Sequence, residues 1–127
     1  LRMLLRTYLH GKIHNIRLTD KNVNYVGSIT LGPEFLEASG IGVHEAVHIV
    51  NVENGERFIT YVLPGGKPGE CALNGGAARL AEVGDKLIVM AFAQSDKPLE
   101  PKVALVNEHN QLIGVTTTTR AKNSREK

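Results

Sequence analysis

Apolar positions along this chain recur in short runs with a period of two, interrupted by glycine, proline and asparagine. That pattern predicts half-buried strands joined by tight turns, not amphipathic helices. Residues 3–9 form a first apolar run with Arg6 and Thr7 inserted. Gly11 to Leu18 alternates, which sets Lys12 and His14 on one face of a second strand. Thr19 to Asn22 has turn chemistry and leads into Asn22 to Thr30, where Val23, Tyr25 and the residues after Ser28 read as strand. In the middle of that strand stands Gly27-Ser28. A strand glycine costs about 0.5–1 kcal/mol relative to alanine, and a bulge or a close backbone approach is its simplest reason.

Further along, Pro33 to Gly40 predicts a short helix, with proline near its start, Glu34 in the first turn and glycine as the stop. His44-Glu45-Ala46-Val47-His48 matches the H-E-x-x-H pattern of zinc proteases, which needs a helix to bring its histidines together. Here the pattern follows Gly40 and Gly42 and runs through Ile49, Val50 and Val52 into an Asn54-Gly55 hairpin turn. On a strand His44 and His48 stand about 13 Å apart at about 3.3 Å per residue, too far to share one zinc, so no metal is expected.

Glu56 to Leu63 follows as a strand, with Arg57 and Tyr61 on one face and Phe58, Thr60 and Val62 on the other. Pro64 to Gly69 is a loop, Cys71 to Leu73 a short strand with a small buried cysteine, and Asn74 to Arg79 a glycine-rich turn opening a short helical turn. That turn lacks a phosphate loop's lysine and spacing; it offers an amide side chain and backbone N–H groups suited to an oxyanion or carboxylate. Lys86 to Phe92 is nearly all apolar and belongs at the centre of the core. A polar link over 94–102 leads to a last hairpin, Lys102 to Val106 and Gln111 to Val115 around Glu108-His109-Asn110. Residues 116–127 form a polar tail expected to fray, which leaves 1–115 as one domain.

Composition narrows the function classes. A chain of 127 residues with 42% hydrophobic residues supports one compact core. A formal charge of +2, without a basic stripe interleaved with aromatics, argues against a nucleic-acid partner. The single cysteine, Cys71, allows no internal disulfide and suits a reducing cytoplasm. Residues 1–6 lack a signal peptide's long apolar run, and no run reaches membrane-spanning length, so a cytoplasmic protein without a membrane partner is expected.

Gly11-Lys12-Ile13-His14, Tyr25 to Thr30 with Gly27-Ser28, Asn54-Gly55 with Arg57 to Val62, and Asn74-Gly75-Gly76-Ala77-Ala78 occur in this order and at these separations. In that ordered set the chain resembles bacterial aspartate 1-decarboxylases, pyruvoyl-dependent enzymes that make β-alanine for pantothenate. The resemblance runs from Met3 through the Glu108-His109-Asn110 hairpin. It implies a small six-stranded double-psi β-barrel with short helices, assembled as a homotetramer of cleaved α and β subunits with active sites between subunits.

The resemblance further implies that the Ser28 hydroxyl attacks the Gly27 carbonyl and cuts the chain between them, leaving a pyruvoyl group derived from Ser28 as the cofactor. Whether a maturation factor assists stays open. One oxyanion donor contributes about 3–4 kcal/mol and backbone strain about 1–3, together about 10³- to 10⁵-fold. Thr60 and Asn74 are the implied supports for cleavage. The pyruvoyl carbonyl then forms a Schiff base with the L-aspartate amine, and Tyr61 returns a proton after CO₂ leaves; a phenol is ordinarily protonated at neutral pH.

Lys12 and Arg57 are the implied partners of the substrate carboxylates, with Thr60, Gly75, Gly76 and Ala77 also contacting substrate and His14 and Tyr25 lining the site. Gly76 departs from the family, which more often has alanine there. Alternation puts Thr60 and Tyr61 on opposite faces, so both are expected to serve only if the strand twists or bulges. Two alternatives stand beside this reading: a non-catalytic β-barrel binding module, and a pyruvoyl decarboxylase of another acidic substrate.

Overall fold

In the computed structural model, which describes residues 3–117, the chain is mainly β, as its alternating pattern predicts. The strands are β1 (Arg6–Arg17), β2 (Asp20–Asn22), β3 (Ser28–Leu31), β4 (Ala46–Asn51), β5 (Arg57–Leu63), β6 (Cys71–Asn74), β7 (Lys86–Ser95), β8 (Lys102–Val106) and β9 (Leu112–Thr116). One helix, α1 (Pro33–Ser39), and a 3-10 helix over Gly75–Leu80 complete the described elements. Hydrogen bonds join the strands in the order β2-β6-β3-β5-β4-β7-β1-β8-β9, which does not close into a ring. The pairs β1/β8, β2/β6 and β3/β5 are parallel. The result is a small barrel-like sheet of nine strands, three more than the six that the resemblance implies.

Two strands expected over residues 3–18 are one, because β1 bends without breaking. Its register against β7 slips between Leu9 and Gly11 and again between His14 and Ile16. At the second slip Asn15 takes a left-handed φ of 68° and becomes the extra residue of a bulge. Ile13 and Ile16 therefore both enter the core, while Lys12 and His14 stay on the other face.

Residues 22–25 correct the expectation of a strand through Val23 and Tyr25. The Asn22 Oδ1 accepts a 3.0 Å hydrogen bond from the Asn24 N–H, and the Asn22 carbonyl accepts one of 3.4 Å from Tyr25. The asparagine side chain thus closes a turn that outweighs the alternation. Asp20 to Asn22, expected as the turn, is strand instead and pairs with Ala72 to Asn74. Gly27 consequently lies in the connection before β3 and not inside a strand.

The core is one cluster fed by the inward positions of the sheet, among them Ile13, Ile29, Val47, Val62 and Leu87, and by Phe35 of α1. The helix ends where predicted: Gly40 is left-handed at φ 74°, and its N–H reaches the Leu36 carbonyl at 2.9 Å. Strand β7 is central, between β4 and β1. The β4–β5 hairpin turns at Asn54-Gly55 as expected, with Gly55 at φ 76° and its N–H on the Asn51 carbonyl at 2.8 Å. His44 sits in the turn before β4 and His48 within β4, so the H-E-x-x-H stretch has no helix on which to act.

At the far end, Asn110 pins the β8–β9 turn to the end of β1. Its Oδ1 accepts from the Arg17 N–H at 2.8 Å, and its Nδ2 donates to the Arg17 carbonyl at 2.8 Å and the Gly69 carbonyl at 3.2 Å. Strand β9 runs through Thr116. The expected tail from residue 118 lies outside the described residues. No described helix is long and apolar enough to cross a membrane.

Candidate active site

The site is built where β3, β6 and the end of β5 meet. β3 pairs antiparallel with β6, setting Ser28 opposite Asn74 and Thr30 opposite Ala72. Ile29 and Leu31 point into the core, so Ser28 and Thr30 occupy the other face together with Asn74. Ser28 is nevertheless fully buried, and Asn74 is 7% exposed. The Ser28 hydroxyl donates to the Val26 carbonyl at 2.8 Å, and its oxygen accepts from the Asn74 Nδ2 at 3.1 Å. Both its proton and a lone pair are therefore directed. The same Nδ2 lies 3.5 Å from the Thr30 Oγ1, a long contact.

Gly75 explains its own conservation of space in this chain. Its φ of 68° disfavours any side chain, and a Cβ there would lie 2.5 Å from the Gly27 Cα and 2.7 Å from the Gly27 nitrogen. The glycine-rich turn thus brings its backbone directly against the Gly27 segment. Gly27 itself is absent from the left-handed residues, so the strain expected there does not appear in its φ. The close backbone approach inferred for the Gly27-Ser28 pair is present, with Gly75 as the neighbour.

Thr60 and Tyr61 enter through β5. The parallel register of β3 and β5 pairs Ile29 with Val62 and Thr30 with Leu63. One step back along β3, that register sets Tyr61 beside Ser28, while Gly27 lies before the strand. β5 pairs with β4 without a register slip, so no bulge brings Thr60 and Tyr61 to one face. Thr60 and Tyr61 therefore keep opposite faces of β5.

Along the sheet, Lys12, His14 and Arg57 stand apart from this cluster. β1 lies four strand steps from β3, a path of about 19 Å at about 4.8 Å per step. Arg57 is four residues from Tyr61 along β5, about 13 Å. Cross-strand pairs connect Lys12, Met90, His48 and Ile59 in one row, and His14, Ile88, Val50 and Arg57 in the next. The expected cations therefore share the outward face of β1, β7, β4 and β5, at its opposite edges. His14 has a buried Nδ1 without a hydrogen-bond partner. Burial, then the Lys12 and Lys86 ammonium groups, push its pKa down and favour the neutral imidazole.

A sequence profile of the aspartate decarboxylase family matches residues 4–113. The chain belongs to the aspartate decarboxylase family. Curated relatives named aspartate 1-decarboxylase include one from Carboxydothermus hydrogenoformans, 46% identical over 114 residues covering 86% of this chain and 90% of the relative. One from Staphylococcus epidermidis is 48% identical over 115 residues, 87% of this chain and 90% of the relative. One from Staphylococcus aureus is 49% identical over 115 residues, 87% and 91%.

Gly76 has open space where a Cβ would stand, so an alanine would fit this turn. Ala77 packs against the core, and Tyr25 is 56% exposed on the turn leading to Gly27. Thr30 is the neighbour that sequence reasoning missed. Its signal was simple alternation from Ser28, two residues on and on the same face. Cys71 is buried and its thiol is pushed up to about 12, chiefly by burial, which leaves it unreactive.

Proposed function

We propose that this chain decarboxylates L-aspartate to β-alanine after cutting itself between Gly27 and Ser28. The observation that carries the proposal is the buried Ser28 hydroxyl, oriented by Val26 and Asn74 directly after a glycine that Gly75 crowds. A surface serine at a harmless bulge, the binding-module alternative, has no need of that burial or of an asparagine directed at its oxygen. The fit to a pyruvoyl group made from Ser28 rests on this donor set and on the close backbone approach of Gly75. Such a group supplies an electron sink for the bond to the departing carboxylate.

In this reading the chain's own residues divide the work. Thr60 donates to the oxyanion that forms on the Gly27 carbonyl as Ser28 attacks. Asn74 holds the attacking oxygen. Tyr61, in register with Ser28, protonates the former α-carbon once CO₂ has left. Lys12 and Arg57 take the substrate carboxylates, and neutral His14 lines the wall beside Lys12.

With β1 four strand steps from β3 along the sheet, Lys12 and His14 reach Ser28 from a second copy in this reading, as a homotetramer with sites between subunits requires. Val26 at 61% and Ile59 at 65% exposure are apolar and lie beside Ser28 and along the Lys12 row, where a second copy would cover them. Supplying purified, cleaved protein with L-aspartate should yield β-alanine and CO₂ in equal amounts. Conversion of L-glutamate in preference to L-aspartate would favour the other pyruvoyl decarboxylase reading, and turnover of neither would contradict the proposal.

A further inference from the structure

In the uncut chain one buried amide serves two hydroxyls. The Asn74 Nδ2 donates to the Ser28 Oγ at 3.1 Å and lies 3.5 Å from the Thr30 Oγ1, with Asn74 only 7% exposed. We propose that Thr30 is a positioning residue for the mature enzyme, taking over the Asn74 amide when Ser28 loses its oxygen. This inference rests on the cleavage reading above.

The atoms require the hand-over. Ser28 Oγ bonds to the Gly27 carbonyl carbon as the Gly27–Ser28 C–N bond breaks, which frees the amine. A proton leaves the Ser28 Cα and the Cβ–Oγ bond breaks, so the oxygen departs as part of the new Gly27 carboxylate. Water then displaces ammonia at the former Cα and supplies the carbonyl oxygen, with no external oxidant or reductant. The acceptor that held Asn74 has left position 28. A buried amide N–H is rarely left unpaired, and Thr30 Oγ1 is the oxygen already aligned on the same strand face. Freed from competition, that long contact can shorten and keep the Asn74 carboxamide facing the site.

Thr30→Val keeps the shape and removes the hydroxyl; Thr30→Ser keeps the hydroxyl. In full-length protein, intact mass should show Thr30→Val cutting itself within about twofold of the wild-type rate, since Asn74 still holds the Ser28 oxygen. Once cleaved, its kcat should fall about tenfold with little change in KM, and Thr30→Ser should restore it. A readout independent of activity comes from the uncleavable Ser28→Ala chain, where the closer acceptor is also missing. Adding Thr30→Val there should lower the unfolding midpoint by more than it does in uncut chain that retains Ser28, and adding Thr30→Ser should not.

A fully cleaved Thr30→Val protein with wild-type kcat overturns the inference. So does an equal slowing of cleavage and turnover, the mark of a merely structural threonine. If the wild-type chain itself stays uncut, the cleavage reading fails and this inference with it, an outcome distinct from the other two.

Discussion

Ser28→Ala is expected to leave the protein as one full-length chain with no decarboxylase activity. Ser28 supplies both the nucleophile for the cut and the carbon skeleton of the implied cofactor, so no neighbouring residue can stand in for it. The loss is complete at the level of chemistry and modest at the level of folding. The two hydrogen bonds of Ser28 Oγ, to Val26 and from Asn74, contribute about 0.5–1.5 kcal/mol each, well below the stability of a typical domain. Folded, uncut and inactive Ser28→Ala protein would agree with this account. Cleavage before residue 28 in that variant would remove Ser28 as the nucleophile.

Tyr61→Phe should separate maturation from turnover. Phenylalanine preserves the half-buried ring on β5 and deletes only the hydroxyl. That hydroxyl is not among the partners of Ser28 Oγ, which are Val26 and Asn74, so the chain should still cut itself at close to the wild-type rate. Loss of a positioned acid costs about 10²- to 10⁴-fold, and kcat should drop in that range while substrate binding changes little. Paired mass and product measurements decide it. An uncut Tyr61→Phe chain would assign the phenol to maturation, and a fully active one would deny it the proton.

Much of the fold was legible because side-chain alternation and turn chemistry agree over most of the chain. The α1 stop at Gly40, the Asn54-Gly55 hairpin and the central strand from Lys86 to Phe92 all follow from local rules that tertiary packing reinforces; the strand runs on to Ser95, into the expected polar link. The same rules correctly denied His44 and His48 a helix. They failed where one side chain overrode the pattern: Asn22 made a turn of Val23 and Asn24, and Asn15 carried a bulge that fused two expected strands.

The candidate site was legible as a set of residue types in order, but not as a place. Alternation could state that Thr60 and Tyr61 face apart. Only the β3–β5 register reveals that Tyr61 is the one that falls beside Ser28. Likewise, nothing in the order of Lys12 and Ser28 along the chain discloses that β1 and β3 are four strands apart. That separation is a property of long-range pairing, which local rules along the chain do not carry.

The central claim is that Gly27 and Ser28 are parted in the mature protein. Intact-mass analysis of the purified wild-type chain under denaturing conditions tests it most directly. The account predicts two polypeptides divided before residue 28, the larger one blocked to N-terminal sequencing and reactive toward a carbonyl reagent. A mature sample consisting only of the full-length chain, with no carbonyl-reactive group, would contradict it.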